Sequence, residues 1–181
     1  PNDVGLLEYI GIAGSNRVAP YRPTDVIGPT ATSKGGTLYI LSRIAPADIR
    51  DGLSNTMIVG EYSGLAPGET YHGNGGIGGN ESSWTLGGSR VAAAETSYYA
   101  AKVVGFAPNS QVYAKSATEC EACDEPYPNT YIQPALKSDH PGGVHGLMAD
   151  GGVHFLSDTI NIEILKDLAD RDDGHAPGQY D

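Results

Sequence analysis

This chain has few of the residues that most chemistry requires. Its 181 residues include 2 Cys, 2 Met, 2 Phe and 1 Trp. Two cysteines rule out a disulfide-dense scaffold and a four-cysteine zinc centre. Basic residues are sparse and unclustered: 11 Lys and Arg face 22 Asp and Glu, for a net charge of −11. Nucleic acid is therefore a poor partner, and an anionic membrane surface is disfavoured for the same reason. The acidic excess either keeps the protein soluble or suits divalent cations and cationic surfaces.

Long apolar runs are also missing. No stretch of about 18 apolar residues could span a bilayer, and no signal peptide is recognisable. The chain opens at Pro1 without Met and reads as a processed product or a trimmed soluble portion. Any N-terminal anchoring helix is expected to be absent from it. There is no His-Glu-x-x-His, no Gly-x-Ser-x-Gly elbow, no phosphate loop and no dinucleotide fingerprint. The Gly-rich 73–79 segment lacks the Lys-Ser/Thr ending that phosphate binding needs. No residue is assigned a catalytic role, no cofactor is required, and no internal repeat is found.

What the chain does have is turn chemistry. Gly 25 and Pro 12 predict many turns and short strands, while 39% hydrophobic residues still permit a real core. Tyr supplies 11 residues, and its half-wet ring suits exposed sheets and contact surfaces. We read residues 1–181 as a single domain of α+β class, built on an antiparallel sheet. Strands are expected at Leu6–Ile12, Thr37–Ile44, Thr56–Tyr62 and Val103–Tyr113, with a short helix over Val91–Ala101. Residues 64–90 form a Gly-rich loop region anchored by Trp84. Residues 116–134 form an acidic excursion.

The densest pattern is Ser138–Asp158. Two apolar runs flank Asp150-Gly151, a strong hairpin signal. A two-residue loop would place Val144, Met148, Val153 and Phe155 on the core face. His145, Leu147, His154 and Leu156 would share the other face. A three-residue Asp-Gly-Gly loop would shift the register and flip one strand. A short helix follows, with Asn161 as N-cap and Ile162, Leu165, Leu168 and Ala169 on one stripe. Gly174 is a candidate stop, and 175–181 is a loose tail.

Few side chains are candidates for chemistry. Cys120 and Cys123 are expected to form a local disulfide. A redox pair, a metal half-site and free thiols are the alternatives, and Asp124, Glu125 and Pro126 disfavour a helix or a thiolate there. His145 and His154, as diagonal neighbours, could share a ligand or simply line a solvated face. Asp170, Asp172 and Asp173 are candidate calcium ligands, against the plainer reading of a charged helix end. Tyr71 and Trp84 are candidate glycan contacts on the 64–90 loop.

Two segments resemble a known family: Ile49–Glu61, IRDGLSNTMIVGE, and His140–Ala169, HPGGVHGLMADGGVHFLSDTINIEILKDLA. They look like bacterial proteins with a prepilin-type leader and a C-terminal H-X9-DG domain, found mainly in planctomycetes. The matching signature residues include Asp51, Gly52, Asn55, Glu61, His140, Gly142, Gly143, Asp150 and Gly151. Gly152 departs from the Ser usual after Asp-Gly. The resemblance implies a type IV pilin or type II secretion pseudopilin relative, with a pilin-like sheet domain and a membrane contact only through an N-terminal helix. We read the signature residues as structural: glycines for the backbone path, Asp150-Gly151 for the turn, and Asn55 and His140 as hydrogen-bonders to neighbouring loops.

The expected function is a non-enzymatic, extracytoplasmic subunit of a pilus-like, pseudopilus or cell-surface assembly. Its partners would be its own copies or other pilin-like subunits. The rival is a cell-surface module binding glycan or a divalent cation through the 64–90 loop. An enzyme built on the His and Cys sets is the weakest reading.

Overall fold

The structure, a computed structural model, describes residues 8–18, 33–39, 42–62, 101–110, 135–175, 177, 178 and 180. The 64–90 loop, Tyr71, Trp84, Cys120, Cys123, the 116–134 excursion and nearly all of the expected 91–101 helix lie outside the described residues.

Among the described residues, five strands form one sheet: β1 (Tyr9–Ser15), β2 (Met57–Glu61), β3 (Ala101–Val104), β4 (Gly143–Met148) and β5 (Val153–Ser157). Their order is β3-β1-β2-β4-β5. The β1–β2, β2–β4 and β4–β5 pairs are antiparallel. β3 joins β1 in parallel, with a register shift between Ile12 and Gly14. The α+β class holds, and the sheet is mixed at its β3 edge.

One helix, α1 (Ile162–Ala169), packs on one face of the sheet. It starts as the sequence predicts: the Asn161 side chain accepts from the Glu163 amide, satisfying one orphan N–H. Leu165, Leu168 and Ala169 are fully buried. They meet Ile10, Ile12, Met57, Val144, Met148 and Leu156, which are the inward residues of β1, β2, β4 and β5. Truncating Leu165 or Leu168 to Ala would cost about 2–5 kcal/mol. The helix ends at Asp170, whose extended backbone breaks it. Gly174, at φ +76°, turns the chain only later.

Other strand expectations need adjustment. β1 runs further than predicted, to Ser15. Thr37–Tyr39 and Ser42–Ile44 carry no strand. Residues 36–38 run beside β1 on two backbone bonds, Gly36 N–H to the Ala13 carbonyl and Leu38 N–H to the Ile12 carbonyl. The strand read over Val103–Tyr113 stops at Val104 and is shorter on that side than predicted. Asn109 then turns the chain with φ 55°.

The hairpin register is the main correction. The β4–β5 pairs are Leu147↔Val153, Gly146↔His154, His145↔Phe155, Val144↔Leu156 and Gly143↔Ser157. The loop is therefore three residues, Ala149-Asp150-Gly151, closed by Met148 N–H to Gly152 and Gly151 N–H to Met148. Gly151 takes φ +91°, as a bulged three-residue hairpin requires. The Asp150 carboxylate accepts from the Gly152 amide at 2.8 Å. Two outside bonds hold this loop: Ala149 N–H to Thr56 and Asp150 N–H to Leu53. One residue of shift flips all of β5. Leu156 is buried, while Val153 and Phe155 stand 63% and 43% exposed. His145 and His154 consequently lie on opposite faces and cannot share a ligand.

Candidate functional site

The two signature segments dock on each other through β2 and β4, from Leu53 to Glu61 on the first. β4 runs antiparallel to β2, so the ends of the His140–Asp150 stretch meet the ends of the first segment. At one end, Ala149 and Asp150 bond through their backbones to Thr56 and Leu53. At the other, His140 and His145 converge on Glu61. The nine residues between His140 and Asp150 span a turn and a strand matched to β2.

Glu61 closes β2 on the face opposite α1. Its side chain is only 6% exposed, against 57% for His140 and 38% for His145. The His145 amide donates to Glu61 Oε2 at 2.9 Å. The His145 ring Nδ1 lies 3.2 Å from the same oxygen, and His140 Nε2 lies 3.5 Å from Oε1. The two imidazoles pack edge to face with centroids 4.9 Å apart. His145 also meets the Phe155 ring edge to face. Burial alone would raise the Glu61 carboxyl. Hydrogen bonds from the His145 amide, the Ser138 side chain and the His145 ring, with the His140 charge, outweigh burial and hold it below the usual range. Both imidazoles line a cleft of about 490 Å³, walled by Tyr9, Val59, Gly146, Leu147 and Val153.

The remaining signature residues bond neighbouring backbone or lie in turns. Asp51 accepts from the amides of Asp173 and Gly174 at 2.9 and 3.1 Å. The amides of Arg50 and Asp51 both donate to the Arg171 carbonyl. Asn55 donates within its own loop, to the Asp51 carbonyl at 2.9 Å. Gly52 precedes the 3-10 turn Leu53–Asn55. Gly143 lies so close to β5 that an added Cβ would collide with the Leu156 carbonyl and sit 2.7 Å from Phe155 Cζ. Gly142 has open space around it.

Asp170, Asp172 and Asp173 do not converge. Asp170 is buried against Ser15, Asp172 pairs with Arg50 at 3.0 Å, and Asp173 reaches Arg17 at 3.4 Å. The geometry instead gathers Asp167, Asp173 and His175. Arg17 already reaches that cluster, bonding Asp167 and lying 2.6 Å from Glu163.

Sequence reasoning missed three residues. Arg17 carried no motif. Asn109 donates to Asp158 at 2.8 Å and accepts from the Ser138 amide at 2.9 Å, stapling both ends of the hairpin segment. Glu61 was noted as a signature residue but not paired with His140. Antiparallel pairing of the two signature segments was the available signal. It would have brought the last residue of the first beside the first residue of the second.

Among the described residues, a sheet backed by α1, with both signature segments joined through β2 and β4, defines an α+β domain. The profile of the family described as "Protein of unknown function (DUF1559)" matches residues 14–163. The chain belongs to this family, the bacterial prepilin-like H-X9-DG group. No curated protein and no solved structure matches it.

Proposed function

We propose that this domain is a non-enzymatic structural subunit of an extracytoplasmic assembly of pilus, pseudopilus or cell-surface type. The observation that carries the reading is the face of the sheet opposite α1. Tyr9, Val153 and Phe155 stand 55%, 63% and 43% exposed there, beside Val59 and Leu147. A solvated sheet face normally alternates to polar residues. Contiguous apolar groups rimmed by polar ones fit a surface that is covered in use. A neighbouring subunit, either a second copy or another pilin-like protein, is the occupant that agrees with the prepilin-like family. Type II secretion and type IV pilus machinery are the apparatus classes this reading favours. It places the protein outside the cytoplasm, with any membrane contact made through a helix outside this chain.

Sedimentation velocity across a concentration series tests the proposal. Self-association that grows with concentration and survives high salt is the expected result. A monomer at every concentration, with no binding to co-purified pilin-like subunits of the same cell, would remove it.

A further inference from the structure

The Glu61 cluster has features that a structural turn does not need. Three donors from two strands and one turn meet on the open face, all within 4.8 Å of one another. We propose that Glu61, His140 and His145 bind a single divalent transition-metal ion, with zinc the best fit.

The donor chemistry comes first. Two imidazole nitrogens and one carboxylate suit zinc and its neighbours, whereas calcium and magnesium take oxygen. Geometry agrees. Donors about 2.0–2.2 Å from a tetrahedral ion lie roughly 3.3–3.5 Å apart, the length of a tetrahedron's edge. Glu61 Oε2 stands 3.2 Å from His145 Nδ1 and its Oε1 3.5 Å from His140 Nε2, and one donor atom from each residue lies within 4.8 Å of the others. The 3.5 Å contact is too long to be a strong hydrogen bond, so admitting the ion breaks little there.

The site is also supported from behind. The His145 amide holds Glu61 Oε2, which fixes the carboxylate as outer-shell donors fix metal ligands. Glu61 is buried and His145 stands in the middle of β4, so two of the three ligands sit on rigid strands. His140, on the exposed turn, closes the set. Both rings line the cleft, so coordination positions not filled by protein open into it. The cluster of Asp167, Asp173 and His175 contrasts with this one. Arg17 is already in contact with both of its carboxylates.

The test uses the 181-residue protein and zinc chloride alone. Isothermal titration is paired with elemental analysis after dialysis. The expected result is one zinc per chain, with His140→Ala and His145→Ala each weakening binding by at least about tenfold. His175→Ala, in the other cluster, should leave affinity unchanged. His140 is mostly exposed, so its removal spares the fold, and a thermal melt of each variant checks this. Absence of saturable zinc binding would overturn the proposal. So would unchanged affinity in either the His140 or the His145 variant, or loss in the His175 variant alone.

Discussion

Ser15 and Asp170, 155 residues apart, are joined by two hydrogen bonds in the interior. The Ser15 amide donates to Oδ1 at 2.8 Å and its hydroxyl to Oδ2 at 2.5 Å. This pair fastens the end of α1 to the end of β1. Burial pushes the Asp170 carboxyl above its usual range, and Asp173 adds to this. The Ser15 bonds and Arg17 pull the other way without reversing it. Asp170→Ala would orphan the buried Ser15 amide, at about 1–3 kcal/mol. Asp170→Asn keeps an acceptor for that amide and should fall within about 1 kcal/mol of wild type at neutral pH.

The same carboxyl predicts a pH dependence. Its folded pKa is raised, so the folded state holds the proton more tightly than the unfolded state does. Its contribution is fully present below the unfolded value of about 3.9 and is lost as pH rises through the folded value. Glu61 and Glu163 have lowered values and act in the opposite sense, losing their contribution as pH falls. Urea melts of wild type and Asp170→Asn should isolate the Asp170 term. The wild-type advantage over the variant should shrink as pH rises from about 3.9.

Gly143 and Gly142 should respond differently to alanine. At Gly143 the new methyl meets the Leu156 carbonyl and the Phe155 ring. Relief would require breaking the Gly143↔Ser157 pairing at the start of β4. A loss of about 1–3 kcal/mol is expected, as for overpacking. At Gly142 there is room, but φ is +86°, and the expected loss is about 1–2 kcal/mol from backbone strain alone. Mutating Phe155 to Leu alongside Gly143→Ala should recover part of the first loss and none of the second.

Arg17 takes the place of a cation. It bonds Asp167, pairs with Glu163 and reaches Asp173, holding the turn after β1 to α1. As a partly exposed network its net worth is about 1 kcal/mol. Arg17→Ala should cost about that much and leave three carboxylates without their shared partner. Calcium should then raise the melting temperature of the variant more than that of wild type. Equal calcium responses would show that these acids are too dispersed to hold an ion.

The parts legible in sequence were those set by local chemistry. The Asn161 cap, the α1 stripe and the inward set Val144 and Met148 follow from residue type and spacing. The β5 face did not, because Asp-Gly alone cannot distinguish a two-residue loop from a three-residue one. The choice was made by Thr56 and Leu53, which bind the loop from about 95 residues upstream in sequence. The parallel β3 edge and the Glu61–His140–His145 meeting are equally long-range. Each residue carried a family pattern or none, and only strand pairing revealed its neighbours.

The open sheet face gives the sharpest test of the assembly reading. Among the described residues, Val153 is the most exposed large apolar side chain on it, at 63%. It lies at the start of β5, on the wall of the cleft but outside the Glu61 cluster. An apolar side chain that contributes little to the monomer can be replaced by a charge at small cost, within about 0.5 kcal/mol. Buried in an interface core, the same charge would be desolvated without a partner, a loss of several kcal/mol. Val153→Glu should therefore leave the thermal melt of the monomer nearly unchanged while weakening self-association at least tenfold by sedimentation velocity. Gly151 on the adjacent turn offers no side chain to compensate. A variant that associates as well as wild type would move the contact surface away from this face.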